Sequence, residues 1–250
     1  MTGFSYQLYC SRNFGPMDQT LKMVADLGYT GVEGYGALYA DPAAVAATKA
    51  ALDETGLKMP SGHFGLPQLS ADPEGVIAIA KALDISGIYC PFLPEDERPA
   101  DAAGWADFGQ QLQTIGAPFR DAGLTFGWHN HAFEFTPLAD GTLPIDAILD
   151  GTDLAFEFDV AWAVVAGSNP LDTIAKYGSR ITAAHVKDRA AAGTNDAEDG
   201  WADLGKGTID WATIMTALRS AGTTHFVMEH DNPSDDARFA RASLAHAKTL

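Results

Sequence analysis

The segment 128–135, which reads WHNHAFEF, concentrates side chains that can bind a metal ion or transfer a proton. His129 and His131 are separated by one residue, and Glu134 follows three residues later. Imidazole titrates near neutral pH, and imidazole and carboxylate are common ligands of divalent cations. A short apolar run precedes the first histidine and is typical of a strand, so these groups are expected at a strand end.

Three later segments repeat the pattern of a strand-like run that ends in titratable groups: 156–159, 184–188 and 227–231. They add carboxylates, an imidazole and an amine to the candidate chemistry, namely Glu157, Asp159, His185, Lys187 and Glu229. Because the groups come from four separate stretches, the sequence predicts a site that several strands assemble rather than one contiguous motif.

Composition narrows the class of protein and its partners. The 250 residues are 46% hydrophobic and 20% charged, which is enough apolar material for a sizeable core. A net charge of -17 opposes the basic face that duplex binding needs, so no nucleic-acid partner is expected. No signal peptide and no membrane span are visible, and the two cysteines suit buried thiols, so we expect a cytoplasmic protein without a membrane partner.

Strand-like runs alternate with helical stretches along the whole chain. Eight strands are predicted, at residues 4–9, 29–33, 57–63, 85–92, 124–129, 154–159, 181–186 and 225–229. Helices are predicted at residues 17–27, 43–55, 76–83, 101–122, 171–177, 209–221 and 234–250. The alternation implies a parallel sheet, and eight units match an α/β fold, a single-domain (β/α)8 TIM barrel over residues 1–250.

The alternative architecture is a doubly wound open sheet. Such a sheet usually has fewer strands, and its dinucleotide-binding form needs a glycine-rich turn after the first strand. Residues 10–15 read CSRNFG and lack that turn. The barrel is therefore preferred, with the acidic, small-residue segment 190–203 predicted as a lid or loop over the pocket mouth.

In a barrel, the carboxyl ends of the strands meet at one edge, and every second residue of a strand faces inward. His129, Asp159, His185 and Glu229 would then converge, and Glu33 and His63 end two earlier strands in the same way. Unpaired buried charges are very costly, so this set needs a cation or mutual pairing. Mixed oxygen and nitrogen ligands favour Mn²⁺, Zn²⁺, Co²⁺ or Fe²⁺ over Mg²⁺.

At these residues the chain resembles the sugar phosphate isomerase/epimerase family, also called xylose isomerase-like or endonuclease IV-like barrels. The resemblance runs nearly end to end, and the order and spacing of the motifs carry it. Its motifs are QLY at 7–9, GVE at 31–33, SGH at 61–63, the segment 129–135, FDVAW at 158–162, HVKD at 185–188, LGKGTIDW at 204–211 and EHD at 229–231.

The resemblance implies one divalent metal, bound by residues at the ends of strands five to eight. Asp159, His185 and Glu229 take three of the four ligand positions. Many relatives have glutamate at the end of strand five, where this chain has His129. We expect Glu134 to be the fourth ligand, reaching back from the loop, and keep His129 as the alternative.

The resemblance also implies proton abstraction next to a carbonyl, with an enediolate stabilised by the metal. Candidate catalytic residues are His131, Glu157, Lys187 and His129, and candidate substrate-binding residues are His63, Asn130, Trp162 and Tyr9. Structural alternatives remain for three of them. His131 would bond a neighbouring loop, Glu157 would pair with Lys187, and Trp162 would be a pocket wall.

The leading function is a metal-dependent isomerase or epimerase of small sugars or keto-sugars. The alternative is a lyase, dehydratase or keto-glycoside-cleaving enzyme that acts on a 3-keto sugar or inosose. A non-catalytic sugar-binding protein is a third possibility. A DNA-repair endonuclease is disfavoured, because it needs a cluster of about three metals and a basic surface.

Overall fold

The computed structural model describes residues 3–250 and contains eight parallel strands that close into a barrel. The strands are β1 Phe4–Gln7, β2 Gly31–Gly34, β3 Lys58–His63, β4 Gly87–Cys90, β5 Thr125–His129, β6 Ala155–Asp159, β7 Ile181–Val186 and β8 His225–Met228. Each strand pairs with its neighbours in sequence, and β1 pairs with β8 to close the ring. The predicted (β/α)8 TIM barrel and its eight strands are confirmed.

Helices connect successive strands of the barrel, and the last helix follows β8. They are α1 Met17–Leu27, α2 Pro42–Thr55, α3 Leu66–Ala71, α4 Pro73–Leu83, α5 Ala102–Ile115, α6 Ala117–Asp121, α7 Pro144–Leu149, α8 Val160–Val165, α9 Pro170–Tyr177, α10 Trp211–Ala221 and α11 Asp236–Ala247. The helix predicted at 101–122 is two helices, because Pro118 has no amide hydrogen to continue the first. The short helices α3, α7 and α8 were not predicted.

Alternation along the strands separates an apolar layer from a polar interior. In β6, Phe156 and Phe158 are fully buried in the apolar core that also contains helix residues, whereas Glu157 and Asp159 belong to the buried polar set. In β5, Trp128 lies in the same core, and His129 is buried with the polar groups. The polar faces of the strands therefore supply the site.

The strand register places these polar groups at matching heights. His129 on β5 is the partner of Glu157 on β6, and Asp159 on β6 is the partner of His185 on β7. On the other side of the barrel, Glu33 on β2 is in register with both neighbouring strands. Hydrogen bonding of the backbone thus brings residues distant in sequence to one end of the barrel.

Two composition-based expectations can be compared with the fold. Cys10 and Cys90 are both free and buried, as predicted. Within residues 3–250, no helix combines the length and apolar character that crossing a membrane would require.

Candidate active site

A cavity of about 430 Å³ opens at the carboxyl ends of the strands. Its lining includes aromatic, imidazole and carboxylate groups: Tyr9, Tyr35, Gly36, His63, Gly65, Pro91, Phe92, His129, His131, Glu229 and Asp231. Tyr9 and Phe92 are 39% and 45% exposed, whereas His129 and Glu229 are buried. The cavity therefore has aromatic side chains at its mouth and ionisable groups at its base, and it contains five of the predicted site residues.

At the base, two groups of four residues each offer ligand atoms that lie within 4.8 Å of one another. One group contains His129, Asp159, His185 and Glu229, and the other contains His63, His129, Glu157 and His185. The two groups share His129 and His185. The structure thus brings together three of the four predicted metal ligands, together with the strand-five histidine.

His185 lies at the centre and has a carboxylate at each ring nitrogen. Its Nδ1 lies 2.9 Å from Glu229 Oε2, and its Nε2 lies 2.7 Å from Glu33 Oε1. Burial alone would lower the pKa of His185, but the charges of Glu229, Glu157 and Glu33 raise it well above its usual value. The surrounding carboxylates therefore favour the protonated form of His185 when no cation is bound.

Glu157 lies beside this centre and pairs with histidines, not with Lys187. Its Oε2 is 2.6 Å from His63 Nε2 and 3.2 Å from His129 Nδ1, and Oε1 has no hydrogen-bond partner among residues 3–250. Burial and the charge of Glu33 raise the pKa of Glu157 to about 8. A buried carboxylate with a free oxygen and a raised pKa is a suitable proton acceptor.

Lys187 supplies a buried positive charge on the other side of the cluster. Its Nζ lies 2.6 Å from Asp231, 3.2 Å from Glu229 and 3.6 Å from Asp159. Burial lowers the pKa of Lys187, but these three carboxylates outweigh burial and raise it. The Nζ also lies 4.9 Å from the ring centre of Trp162, so Trp162 packs against Lys187, and it is not part of the cavity lining described above.

His131 contacts the cavity from the loop that follows β5. Its ring stacks edge-on against Phe92, with 5.5 Å between ring centres, and its Nδ1 is buried without a hydrogen-bond partner in the described chain. Burial and the nearby charge of Lys187 lower the pKa of His131 to about 3. The side chain is therefore a neutral imidazole, able to accept or donate one hydrogen bond to a bound hydroxyl.

Glu134 does not reach the cluster, contrary to its expected place among the ligands. A 3₁₀ turn at Phe133–Phe135 directs its carboxylate away from the base of the cavity. Oε1 accepts a 2.8 Å hydrogen bond from Trp128 Nε1, and Oε2 accepts a 2.9 Å hydrogen bond from the His131 amide. Glu134 thus fixes the loop that carries His131, and the alternative strand-five residue, His129, is the one that lies within both groups.

Exchanging Glu134 for glutamine distinguishes a role in fixing the loop from a role in binding metal. Both oxygens accept from N–H groups, so the new amide nitrogen would face a donor and leave it unsatisfied. We expect Glu134→Gln to lower the free energy of unfolding by about 1–3 kcal/mol. The stoichiometry of bound metal should stay unchanged, which thermal melting and metal analysis of the purified protein would check. A variant of normal stability that has lost its metal would contradict this role.

Asn130, predicted to bind substrate, is fully buried and its amide is occupied. Its Oδ1 accepts a 2.9 Å hydrogen bond from the Asp159 amide, and its Nδ2 donates to the Asp159 carbonyl at 3.1 Å. It ties the end of β5 to the end of β6 and leaves no polar group facing the cavity. The Asn130 side chain therefore holds the backbone of Asp159 in place.

Two residues of the site make contacts that the sequence did not predict. Glu33 ends β2 as a buried carboxylate, and its place at a strand end was the available signal. Asp231, the last residue of the EHD motif, forms the shortest contact of Lys187 and lines the cavity. A residue beyond the end of β8 gives no periodic signal, so the sequence could not indicate its direction.

The residues present fit a divalent cation. Two buried atoms of the first group, His129 Nδ1 and Asp159 Oδ2, have no hydrogen-bond partner within residues 3–250. The cluster and its neighbours contain five acids, which outnumber the three basic groups beside them whose pKa is raised, Lys187, His185 and His63. A cation between two imidazoles and two carboxylates would satisfy both the orphaned atoms and the excess charge, and this donor set suits Mn²⁺, Zn²⁺ or Co²⁺.

The predicted lid segment is clamped rather than free. Asp188–Arg189 pairs with Trp201–Ala202 in a short antiparallel ladder. The ring centre of Trp201 lies 4.3 Å from Lys187 Nζ, so the indole covers the lysine. Glu198 holds the tip of the segment through hydrogen bonds from Arg238 Nη2 at 2.8 Å and from the Ser234 amide at 2.7 Å. The segment therefore covers the lysine side of the site.

We expect Glu198→Gln to loosen this segment. Losing charge-assisted hydrogen bonds worth about 1–2 kcal/mol would raise local opening roughly 5–30-fold, measurable as faster hydrogen exchange in 190–202. Burial would raise the pKa of Glu198, but bonds from Ser234 and Arg238 lower it to about 2, so the clamp weakens only as pH falls from about 4.5 toward 2. Lys22→Met, which breaks an exposed ion pair with Asp26, is the control, and it should leave hydrogen exchange in 190–202 unchanged.

Comparisons with known proteins agree with this architecture. The family model described as "Xylose isomerase-like TIM barrel" matches residues 21–250. A sugar phosphate isomerase/epimerase from Parabacteroides distasonis superposes with a TM-score of 0.83 at 21% identity, covering 100% of this chain and 95% of that one. No curated protein matches the chain.

Two further structures share the fold at lower identity. The probable 3-DHS dehydratase AsbF from Bacillus anthracis has a TM-score of 0.73 at 16% identity, with 98% of this chain and 98% of that chain covered. A D-tagatose 3-epimerase-like protein has a TM-score of 0.73 at 18% identity, with 99% and 96% covered. Because the family model spans nearly the whole chain and the closed barrel agrees with it, this chain belongs to the xylose isomerase-like TIM barrel family.

Proposed function

We propose that the chain is a divalent-metal-dependent isomerase or epimerase of small sugars or keto-sugars. The observation that carries the proposal is the convergence of a four-residue ligand set, a separate buried carboxylate and a cavity of about 430 Å³ at one end of the barrel. Ligand set and proton acceptor lie side by side, as proton transfer next to a carbonyl requires.

The proposed ligands are His129, Asp159, His185 and Glu229, with Mn²⁺, Zn²⁺ or Co²⁺ as the cation. His129 replaces Glu134 in this set, because the Glu134 carboxylate already accepts two hydrogen bonds elsewhere. When bound, the cation would polarise the carbonyl and hydroxyl oxygens of the substrate. The protein then has to hold the sugar, accept a proton and return it.

Glu157 is the proposed base. Its unpartnered oxygen would accept the proton from the carbon next to the carbonyl, and His63, 2.6 Å from the other oxygen, orients the carboxylate. The proton then returns to another carbon or to the other face of the same carbon. Lys187 contributes positive charge near the developing negative charge, and the neutral His131 imidazole is available to a substrate hydroxyl.

The cavity mouth supports a sugar-sized substrate. Tyr9 and Phe92 present exposed aromatic rings, against which the apolar face of a sugar ring can pack. Between them and the ionisable base, one ring can have its carbonyl near the ligand set and its remaining hydroxyls near His131. The chain's own charge of -17 gives no support to a nucleic-acid substrate.

A lyase is the second candidate, and His131 is the observation that favours it. His131 lines the cavity, and its buried Nδ1 has no hydrogen-bond partner among residues 3–250. The imidazole could assist the departure of a hydroxyl or glycosidic oxygen on the carbon next to the enediolate. One protein that shares the fold is described as a probable dehydratase. Water loss or aglycone release, rather than simple proton exchange, would identify this reaction.

The test is solvent deuterium exchange by chelated and metal-reloaded protein. Samples reloaded with Mn²⁺, Co²⁺ or Zn²⁺ are incubated in D₂O with a panel of ketohexoses, 3-keto-sugars and inososes, and followed by NMR. We expect deuterium at a carbon next to the carbonyl only in reloaded samples, without loss of water. An enone product would favour the lyase, full activity after chelation would exclude the metal-dependent reaction, and binding without any exchange would indicate a sugar-binding protein.

A further inference from the structure

The two ligand groups share His185, and they face different nitrogens of its ring. A neutral imidazole binds a cation through one ring nitrogen, while the other carries a proton and donates it to a neighbour. His185 Nδ1 faces Glu229 Oε2 at 2.9 Å and Asp159 Oδ2 at 3.9 Å, whereas its Nε2 faces Glu157 Oε2 at 3.6 Å. The nitrogen that keeps its proton therefore decides which group can hold the cation.

Glu33 is built to take the proton of Nε2. Its side chain is fully buried, and Oε1 lies 2.7 Å from His185 Nε2. Gln7 Nε2 also donates to Oε1 at 2.8 Å, and Ser61 Oγ donates to Oε2. With both oxygens engaged, the carboxylate has a fixed position and remains an acceptor for His185.

The two residues that hold Glu33 are themselves fixed. Gln7 Oε1 accepts a 3.1 Å hydrogen bond from the Tyr9 amide, which orients the Gln7 amide so that its nitrogen points to Glu33. Ser61 Oγ lies 2.8 Å from His225 Nε2. Gln7, Glu33 and Ser61 are also register partners on β1, β2 and β3. Glu229, by contrast, lines the cavity and also contacts Lys187, so it is the carboxylate that is available as a ligand.

We propose that Glu33 is a positioning residue that selects the cation site: by accepting the Nε2 proton of His185, it directs Nδ1 to Asp159 and Glu229. The proposal rests on the proposed function, since it needs a cation. Its consequence is that the group containing Glu157 stays free of the cation. Glu157 and its partner His63 thereby remain available for proton transfer. They lie beside the cation and are not its ligands.

The test measures cation binding, not activity. Mn²⁺ and Co²⁺ affinities are measured by titration calorimetry, and the absorption spectrum of bound Co²⁺ reports its ligands. We expect Glu33→Gln to weaken binding about 10–100-fold and to change the Co²⁺ spectrum, as loss of a partner behind a ligating histidine typically does. Ser61→Ala, which removes one donor to Glu33, should have a smaller effect in the same direction.

Thr182→Val is the matched control. Thr182 Oγ1 lies 2.8 Å from Tyr89 Oη, so this substitution also disturbs a hydrogen bond between barrel strands, but one that does not involve His185. It should leave the affinity and the Co²⁺ spectrum unchanged. If Glu33→Gln fails to fold, as judged by thermal melting, the comparison of Ser61→Ala with Thr182→Val decides the question.

A double substitution tests the choice between the two groups. With Glu33 intact, Glu157→Gln should leave cation affinity close to that of the unmodified protein. In the Glu33→Gln background, the neutral amide oxygen holds the Nε2 proton less strongly than the carboxylate does. Nε2 is then more available to a cation beside Glu157, so the same substitution should cost several-fold more affinity. Additive effects, or a Glu33→Gln protein with unchanged affinity and spectrum, would overturn the selection role. Failure of the unmodified protein to bind any cation would instead overturn the proposed function itself.

Discussion

Asp159→Asn is expected to abolish both cation binding and turnover. The Asp159 side chain is fully buried, and its Oδ2 has no hydrogen-bond partner among the described residues, so it is the atom available to a cation. An amide nitrogen at that position cannot coordinate. Substitutions behind a ligand already cost about 10–100-fold in affinity, so loss of a ligand should cost more than about 100-fold.

The fold should tolerate this change, which makes the result interpretable. Asp159 Oδ1 also caps helix α8 by accepting a 2.9 Å hydrogen bond from the Trp162 amide, and asparagine caps helices about as well as aspartate. Metal content, titration calorimetry and exchange of solvent deuterium are the measurements. Asp210→Asn, at the exposed cap of helix α10, is the matched control and should behave like the unmodified protein. Stoichiometric metal with full turnover in Asp159→Asn would refute the proposed centre.

Glu157→Gln is expected to lower proton exchange by about 10²–10⁴-fold while the cation remains bound. Glutamine has nearly the same shape and keeps an oxygen that can accept from His63, but it has no carboxylate to take a proton. Burial and the charge of Glu33 raise the pKa of Glu157 to about 8, so the carboxylate form that accepts a proton becomes more populated, and exchange should become faster, as the pH rises from 7 past 8.

Deuterium exchange and metal titration on the same preparation check this prediction. A parallel loss of exchange and of cation affinity would instead make Glu157 a ligand and point to the second group of four residues. Unchanged exchange with bound cation would remove Glu157 as the base and direct attention to His131. The two substitutions together therefore separate the residue that binds the cation from the residue that moves the proton.

The barrel could be predicted from sequence because its signals are local and repeated. Strand-like runs recur eight times, most of them ending in polar groups, and each run is confirmed as a strand. Alternation within a strand then determines which side chains face inward, as Glu157 and Asp159 do between Phe156 and Phe158. Convergence of Asp159, His185 and Glu229 follows from these two facts and from the meeting of strand ends at one edge.

Only the tertiary structure places His129, and not Glu134, beside the other candidate ligands, because the direction of a side chain on a loop depends on what the loop packs against. The turn at Phe133–Phe135 draws the Glu134 carboxylate to Trp128, an outward residue of the core, whereas His129 follows the inward face of β5. The contact between Glu33 and His185 could not be predicted from the sequence either. It crosses the barrel interior between residues 152 positions apart, and only closure of the ring brings them together.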